Sequence, residues 1–316
     1  MPSYNHEKFV AQAIESVFAQ TYDNIELIII DDKSKDSTLK VIEDKIKNSP
    51  LPVVFHRNET NLGVSGTLSK ALKFAKGEFI CFLASDDFYH VDFVASCASA
   101  ILSFEQPNIC VHTNAFHIDE FGEVQGQGNR LSARTPVEGD GFWQIADGTG
   151  VVVSSTAFTR KSIIVEAGGF DETLRAEDFD LHLRISRLVE YVYLETPLFY
   201  ARTIHGSLGR RPWVWAEDIF AALNKHEDLI ADRKEEIFYS RTQALSRSSF
   251  SHGSIFWGVK WWRKSLEYAP NSNLFGNIYR LGTTFVVSFG RYVALRILPP
   301  RMVTWIRHLK RRLQAQ

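Results

Sequence analysis

The sequence has little cysteine, with three residues in 316, at Cys81, Cys97 and Cys110. They lie in apolar surroundings and form no Cys-x-x-Cys pair, which argues against a metal site, a redox pair or a disulfide framework. We therefore expect three reduced thiols in a hydrophobic core, in a reducing compartment.

Long apolar runs are also lacking. Crossing a bilayer takes about 20 consecutive, mostly apolar residues, and the best candidate, 281–298, is interrupted by Arg291 and Arg296. The chain does not open with a cationic stretch followed by an apolar core and a small-residue cleavage site, as a secretory signal would. We expect a cytoplasmic protein without a membrane span.

The net charge is close to zero, at −1, but the charges are unevenly distributed. Residues 250–316 hold 11 Lys and Arg against one acid, a net charge of +10, which leaves −11 on residues 1–249. This basic tail also contains Trp257, Trp261, Trp262 and Trp305, and it ends in the cluster Arg307, Lys310, Arg311 and Arg312. Basic, aromatic helices bind anionic membrane surfaces; the alternative is a helical subdomain whose tryptophans pack on the body. Nucleic acid is not an expected partner, because the body is acidic and contains no binding motif.

The composition, 45% hydrophobic and 23% charged, is that of a globular protein. Strand-like and helix-like segments alternate in the first half, as in a parallel α/β sheet, and longer strands follow as in a mixed sheet. The predicted strands are 26–30, 51–56, 79–83, 109–118, 151–158 and 191–200, and the predicted helices are 38–46, 64–75, 91–104, 161–167 and 177–188. We predict an α/β catalytic domain over 1–212 and a helical, basic region over 213–316.

One expected element is missing at the start of the chain. An α/β domain of this kind should open with an apolar strand that leads into the polar loop 2–5, yet the sequence begins at the loop. Because a parallel strand is buried on both faces, its loss would expose apolar side chains and backbone groups of its neighbours. We expect that Met1 is an internal methionine and that the native product extends upstream by about 5–8 residues, the length of one strand.

Polar clusters follow three of the predicted elements, where ligands bind in open α/β sheets. Asp31 and Asp32 end the strand at 26–30, and a carboxylate there can accept hydrogen bonds from a ribose or a base. Asp86 and Asp87 follow the strand at 79–83, and adjacent carboxylates repel each other unless a cation lies between them. Mg²⁺ or Mn²⁺ would suit such oxygen ligands and would neutralise a departing diphosphate. Each pair could instead be an ordinary helix-capping turn.

The third cluster, Glu177-Asp178-Phe179-Asp180, opens a predicted helix. Carboxylates in a first turn are favoured by the helix dipole, but one of them could be a general base. Helical spacing places Glu177 near Asp180 and turns Asp178 about 100° away. His205 is a further candidate ligand for a metal or a phosphate, and Asn61 and Gly63 form either a plain turn or a place where backbone approaches a phosphate.

Taken in order, these segments resemble family 2 glycosyltransferases of the GT-A fold over residues 2 to about 207. The matching parts are Pro2-Ser3-Tyr4-Asn5; Ser16-Val17 with Gln20-Thr21-Tyr22; 26–36; Asn61-Leu62-Gly63; 77–80; 82–87; 168–171; 177–180; and Arg202 with His205. Each part is weak alone, but all of them in register are highly specific.

The resemblance implies roles for individual residues. Pro2, Tyr4 and Asp32 would contact the nucleotide base, with Asp31, Asn61, Gly63, Glu177 and Arg202 completing the nucleotide-sugar site. Asp86 would lie at the ribose and diphosphate, Asp87 would hold Mn²⁺ or Mg²⁺ together with His205, and Asp178 would be the catalytic base. Many relatives have an acid where this chain has Ala84, so metal binding would depend mainly on Asp87 and the diphosphate.

The expected activity is inverting transfer of a hexosyl or N-acetylhexosaminyl group from a nucleotide-sugar, a UDP-sugar in the first place, to a saccharide or lipid-linked acceptor. Such an enzyme would serve surface polysaccharide assembly, in the cytoplasm or on the inner face of the plasma membrane. A nucleotidyltransferase is disfavoured, because no Gly- and Arg-rich phosphate loop occurs near the N-terminus. The main alternative is a truncated, non-catalytic protein that binds a nucleotide or a membrane surface.

Overall fold

The computed structural model describes residues 1–127, 135–204 and 211–269. These residues divide into two compact units. The first comprises the described residues up to 204 together with 221–225, and the second comprises 211–220 and 226–269.

The first unit opens with alternating strands and helices, as predicted. They are β1 (Pro2–Ser3), α1 (Val10–Phe18), β2 (Leu27–Asp31), α2 (Thr38–Ile46), β3 (Val53–Arg57) and α3 (Gly63–Phe74). The strands form a parallel sheet in the order β1-β2-β3. Pro2 and Ser3, predicted as part of a loop, form a two-residue strand that pairs with Ile30 and Asp31; the longer strand expected upstream of them stays a prediction.

The rest of the unit forms a mixed sheet of six strands in the order β4-β10-β6-β11-β5, with β7 paired to β6. The elements are β4 (Phe79–Ile80), β5 (Phe88–Tyr89), α4 (Phe93–Leu102), β6 (Ile109–Ile118), β7 (Val124–Gln127), β8 (Thr135–Pro136), α5 (Phe142–Asp147), β9 (Gly150–Val151), β10 (Phe158–Arg160), α6 (Lys161–Glu166), α7 (Glu177–Ile185) and β11 (Glu190–Arg202). The long strands β6 and β11 run parallel to each other. Strands β7 and β10 pair antiparallel with β6, β5 pairs antiparallel with β11, and β4 pairs antiparallel with β10. Strands β8 and β9 pair separately.

Two predicted strands are wrong in extent. The single strand over 151–158 is interrupted by a 3₁₀ turn at Ser154–Thr156, in which the Thr156 hydroxyl donates to the carbonyl of Val153 at 2.8 Å. Side-chain hydroxyls compete with ladder hydrogen bonds in this way. Strand β10 begins only at Phe158, and its Thr159 and Arg160 pair with Ile80 and Phe79, the two residues of β4. The strand predicted over 79–83 therefore ends at Ile80.

The core of the first unit lies between the sheets and α1 and α4. Ile14, Ile29, Phe93 and Ile109 are fully buried there, and burial of each such side chain contributes about 1.5–3 kcal/mol. The three cysteines are free thiols, as predicted. Burial raises the pKa of Cys110 to about 12, so this thiol stays protonated and unreactive at neutral pH.

The second unit is helical, as predicted for the C-terminal region. Its elements are α8 (Pro212–Lys225, whose last turn belongs to the first unit), α9 (Glu227–Ile230), α10 (Lys234–Ser251) and α11 (Ile255–Ser265). Trp261 is fully buried and stacks on Phe220 with ring centroids 5.5 Å apart. None of the helices in the described ranges is long and apolar enough to cross a membrane.

Helix α11 also has an exposed apolar face. Phe256 is 72% exposed and Ile255 45%, one turn from the exposed Lys260. Trp257 and Trp262 are half-buried, so only Trp261 is wholly part of the core. The candidate span at 281–298, Trp305 and the basic cluster that ends the chain lie outside the described residues.

Candidate active site

The carboxylate of Asp31 ends β2 and is completely buried. Its Oδ2 accepts the backbone N–H of Ser34 at 3.1 Å and lies 3.4 Å from the guanidinium Nε of Arg57. Its other oxygen, Oδ1, is buried and accepts no hydrogen bond from the described part of the chain. An unpaired buried carboxylate oxygen is costly, and Oδ1 of Asp31 therefore keeps an unused acceptor position.

The neighbouring carboxylate, Asp32, is already occupied by the protein. Its oxygens accept the side-chain amide of Asn58 at 2.8 Å and the backbone N–H groups of Leu62 at 2.7 Å and Gly63 at 2.9 Å. The side chain of Asn61 donates to the Asp32 carbonyl at 3.1 Å. Gly63 has a φ of 73°, a conformation that favours glycine. Asp32 therefore anchors the loop before α3, and this loop is held at the edge of the site.

Two of the predicted base-contacting residues lie at the end of β1. Pro2 is half-buried and lines a cavity that also contacts α7. Tyr4 is 38% exposed in the loop that follows. Both lie beside Asp31, because Ser3 pairs with it in the parallel ladder.

Asp86 and Asp87 follow β4 in a short turn, both partly exposed. The Nδ1 atom of His6 lies 2.8 Å from the Ser85 hydroxyl and 3.9 Å from the Asp86 carboxylate. The Asp87 carboxylate accepts the backbone N–H of Arg202 at 2.6 Å. Sequence reasoning missed His6 and Ser85; their positions next to the loop 2–5 and within the turn 84–87 were the available clue.

Arg202 ends β11 and is 5% exposed. Its guanidinium donates to the Asp86 carbonyl at 2.8 Å, to the Gln12 side chain at 2.6 Å and to the carbonyls of Asp119 and Glu120 at 3.2 Å each. Arg202 was predicted to bind the nucleotide-sugar, but the hydrogen-bond partners of its guanidinium in the structure are protein atoms. Arg202 ties the ends of β6 and β11 to the turn that holds Asp86 and Asp87.

Asp178 lies in the first turn of α7, exposed to solvent, and its Oδ2 accepts the hydroxyl of Ser154 at 3.2 Å. Glu177 beside it is half-buried. Burial, and secondly the negative charge of Asp178, raise the pKa of Glu177 from 4.5 to about 8. At neutral pH Glu177 is therefore largely protonated, and the different surroundings of the two neighbouring carboxyl groups suit them to different chemical roles.

The orientation of α7 is set by a buried ion-pair network. Asp180 is completely buried and accepts hydrogen bonds from the Arg184 guanidinium at 2.6 and 3.0 Å and from Lys225 at 3.1 Å. Arg184 also donates to the carbonyls of Ala167 and Gly169, and Lys225 pairs with Asp171. The predicted proximity of Glu177 and Asp180 is therefore of no chemical use, since Asp180 is a structural anchor.

A cavity of about 150 Å³ lies between Pro2, the residues after β4, the 3₁₀ turn and α7. Asp178, Glu177 and Ser154 are among its lining residues, as is Ala84. The cavity therefore begins next to the candidate base and is partly apolar.

The donor set suits a divalent cation that is shared with a diphosphate. Mg²⁺ and Mn²⁺ take oxygen ligands, and Mg²⁺ is commonly held by one or two carboxylates plus substrate phosphates. Asp86 and Asp87 match this pattern. The described residues contain no group of three or more His, Cys, Asp or Glu side chains that could hold an ion by themselves. His205, the third predicted ligand, lies outside the described residues.

Comparison with known proteins gives a family and a fold. The family model described as Glycosyl transferase family 2 matches residues 1–164. Chondroitin synthase of Escherichia coli is 26% identical over 211 residues, covering 65% of this chain and 28% of that protein. The protein named UDP-Glc:alpha-D-GlcNAc-diphosphoundecaprenol beta-1,3-glucosyltransferase WfgD, from the same organism, is 44% identical over 90 residues, covering 28% of this chain and 34% of that protein. The chain thus spans about a third or less of the length of these two relatives.

Solved structures agree with the fold. Residues 1–349 of S. aureus TarS in complex with UDP-GlcNAc give a TM-score of 0.65 at 20% identity, covering 93% of this chain and 90% of that one. A mannosyltransferase from Pyrobaculum calidifontis in complex with GDP-Man and Mn²⁺ gives a TM-score of 0.58 at 14% identity, covering 96% of this chain and 81% of that one. At these identities the likeness establishes the GT-A fold, as predicted.

Proposed function

Because the chain belongs to glycosyltransferase family 2, we propose that it transfers a sugar from a UDP-sugar to a saccharide or lipid-linked acceptor, with inversion at the anomeric carbon, in the assembly of a surface polysaccharide. One observation carries this proposal: the exposed carboxylate of Asp178, held by Ser154, opens on the same cavity as Pro2 and Ala84. The names of the relatives, a chondroitin synthase and a transferase to a diphosphoundecaprenol-linked sugar, support both acceptor classes.

In the proposed reaction Asp178 is the general base. Its carboxylate takes the proton of the acceptor hydroxyl as that oxygen attacks the anomeric carbon, and the nucleoside diphosphate leaves from the opposite face. The Ser154 hydroxyl holds one oxygen of Asp178 in place. Glu177, neutral at pH 7 because of its raised pKa, adds no second negative charge beside the base.

Nucleotide recognition is proposed to depend on Asp31. The unpaired Oδ1 of Asp31 accepts the imide N–H of uracil, while Pro2 and Tyr4 border the base. Asn61, Gly63 and Asp32 hold the loop that borders the nucleotide, and Arg202 positions the turn with the acidic pair.

Asp86 and Asp87, with His205, are proposed to hold the Mn²⁺ or Mg²⁺ ion that this fold family commonly uses. When bound, a divalent cation supplies charge neutralisation for the diphosphate leaving group. Titration with UDP in the presence and absence of Mn²⁺ tests this ligand set. We expect Asp86→Asn to remove the Mn²⁺-dependent part of UDP binding; unchanged Mn²⁺ dependence in that variant would contradict the assignment.

The catalytic role of Asp178 is tested by turnover. Loss of a general base lowers kcat by about 10²–10⁴-fold, so Asp178→Asn should do so while UDP affinity stays within about threefold, well inside the tenfold that 1.4 kcal/mol represents. Asp228→Asn, in the first turn of α9, is a matched control because Asp228 is also an exposed helix-start carboxylate. Near-normal turnover in Asp178→Asn would refute the role.

The place of action is proposed to be the inner face of the plasma membrane, with α11 at the lipid surface. The exposed Phe256 and Ile255 lie beside Lys260, and the tail beyond residue 269 adds further basic residues. Anionic lipids attract such a segment by about 1 kcal/mol per basic residue near the surface.

Sedimentation with vesicles tests this membrane proposal. We expect the full chain to bind phosphatidylglycerol vesicles but not phosphatidylcholine vesicles, and Phe256→Ser to weaken binding. Phe121→Ser is the matched control, since Phe121 is 84% exposed but lies in the first unit. Equal binding by the two variants, or none by the parent chain, would overturn the proposal.

A further inference from the structure

The cavity beside Asp178 is chemically divided. Most of its lining is apolar and comes from several elements, among them Val64 of α3, Phe82, Ala157 and Leu181 of α7. Its more exposed edge is a polar rim of Ser154, Glu177 and Asp178, and two buried polar residues, Thr159 and His182, also line the cavity. A group that fits this space must be apolar at its end and polar where it joins the rest of the ligand.

The size of the cavity limits the choice of group. An apolar cavity of about 150 Å³ can hold a molecule as large as benzene, so the space of about 150 Å³ found here accepts a small substituent but not a second sugar ring. A hydroxyl group that faces an apolar wall loses its hydrogen bonds to water without replacement. A methyl group meets no such cost.

The polar rim suits an amide. An acetamido group has one N–H donor and one carbonyl acceptor, and the rim supplies complementary groups: the hydroxyl oxygen of Ser154, whose proton is donated to Asp178, as acceptor, and the protonated carboxyl of Glu177 as donor. The buried His182 also lines the cavity, and its Nδ1 lies 3.0 Å from the Tyr191 hydroxyl. A carboxyl kept neutral by its surroundings can donate a hydrogen bond at pH 7.

The position on the sugar follows from the chemistry at Asp178. The base must reach the hydroxyl that attacks the anomeric carbon C1, so the part of the donor nearest to Asp178 is C1 and its neighbour C2. A substituent on C2 is therefore well placed to enter the cavity. We propose that the donor is a UDP-activated 2-acetamido-2-deoxyhexose, whose acetamido methyl group occupies this cavity.

This inference rests on the proposed function. It narrows the transferred group, which the proposed function leaves as hexosyl or N-acetylhexosaminyl, to N-acetylhexosaminyl. The test compares UDP, UDP-GlcNAc, UDP-GalNAc, UDP-Glc and UDP-Gal, each titrated with Mn²⁺ into the full chain and each tried as a donor in hydrolysis. Burying one methyl-sized group in a fitted apolar pocket discriminates by about 10–200-fold. We expect at least one acetamido donor to be preferred over its hydroxyl counterpart by about tenfold or more in binding and in kcat/KM.

Filling the cavity should remove this preference. Ala157→Val adds two methyl groups to a wall residue that is 8% exposed in extended backbone, and Val64→Ile adds one methylene from another element. We expect both variants to reduce the preference to about threefold or less, below the range expected for a fitted pocket, and to leave UDP binding unchanged. Ala95→Val, in α4 and away from the cavity, is the matched control and should retain the preference. Thermal unfolding of each variant excludes loss of the fold as the cause.

The possible results distinguish a failure of the acetamido inference from a failure of the proposed UDP-sugar donor. Binding of UDP with equal use of acetamido and hydroxyl donors, or a preference that survives both filling variants, would overturn this inference and leave the glycosyltransferase proposal standing. Failure to bind UDP at all, with or without Mn²⁺, would overturn the proposed donor and this inference together.

Discussion

The raised pKa of Glu177 predicts a specific pH dependence of stability. In the folded chain the pKa is about 8, because the side chain is largely removed from water and lies next to the charge of Asp178. In the unfolded chain it returns to about 4.5, so between these pH values the folded state binds a proton that the unfolded state does not. The contribution of Glu177 to stability is therefore greatest below pH 4.5, falls as the pH rises toward 8, and levels off above it.

The size of the effect follows from the two pKa values. A difference from 4.5 to about 8 corresponds to about 5 kcal/mol if it is fully expressed. Because Glu177 is half-buried and water can relax around it, we expect about 2–5 kcal/mol. Gln has the shape of the protonated Glu but cannot ionise, so Glu177→Gln should match the parent chain at pH 5 and exceed it by that amount at pH 9.

Urea unfolding of both chains from pH 5 to pH 9 measures this difference directly, and all other titrating groups cancel. Glu172→Gln serves as the control, because Glu172 is exposed in the folded chain and folding does not desolvate it. In a chain that already carries Asp178→Asn, adding Glu177→Gln should change the free energy of unfolding less between pH 5 and pH 9. The reason is that the charge of Asp178 is the second cause of the raised pKa of Glu177. If the curve for Glu177→Gln is flat within about 0.5 kcal/mol, the ordinary range for surface substitutions, then the environment assigned to Glu177 is wrong.

Three further predictions concern other buried groups. Arg184→Met removes one of the two cationic partners of the completely buried Asp180, the other being Lys225, and should cost about 3–5 kcal/mol in chemical unfolding. Lys47→Met, which breaks the exposed pair with Asp44, should leave stability unchanged, and equal losses would contradict the role of burial. Burial lowers the pKa of His112 from 6.5 to about 4, so its contribution to stability is present above pH 6.5 and is lost as the pH falls toward 4, by about 3 kcal/mol; His112→Gln, which retains a donor for the Val137 carbonyl, should abolish that part of the acid sensitivity in urea titrations at pH 7 and pH 4.5. Asp31→Asn should weaken UDP binding about tenfold in calorimetry. Asp32→Asn, which disturbs three hydrogen bonds to the loop before α3, should instead lower the free energy of unfolding by about 2–3 kcal/mol. The reverse pattern would exchange the roles of the two residues.

Local pattern was sufficient for the elements whose neighbours do not alter them. The helix at 38–46 and the strand at 109–118 have the predicted bounds, because their apolar periodicity and flanking turn residues are properties of the segments themselves. The break within 151–158 was not predictable, since it depends on the Thr156 hydroxyl, which bonds to Val153 and to the distant Thr113.

Residue types and their spacing were sufficient to mark the candidate site. The acidic pairs at strand ends and the acidic start of α7 point to nucleotide-sugar chemistry from the sequence, and the family membership agrees with that interpretation. They could not separate residues that are free to act from residues that hold the fold. Asp31 and Asp32 are alike in sequence, yet only Asp31 has an unpaired oxygen, and Asp178 and Asp180 are alike, yet only Asp178 is exposed.

The sequence by itself determined the α/β order, the acidic clusters and the family, because each of these is written in neighbouring residues. The tertiary structure alone decided which carboxylates are occupied, which one is neutral and where the apolar cavity lies. The physical reason is that hydrogen-bond partners and desolvation come from segments distant in the chain, such as Ser154 at Asp178 and Lys225 at Asp180. Only folding brings these groups within a few ångströms of one another.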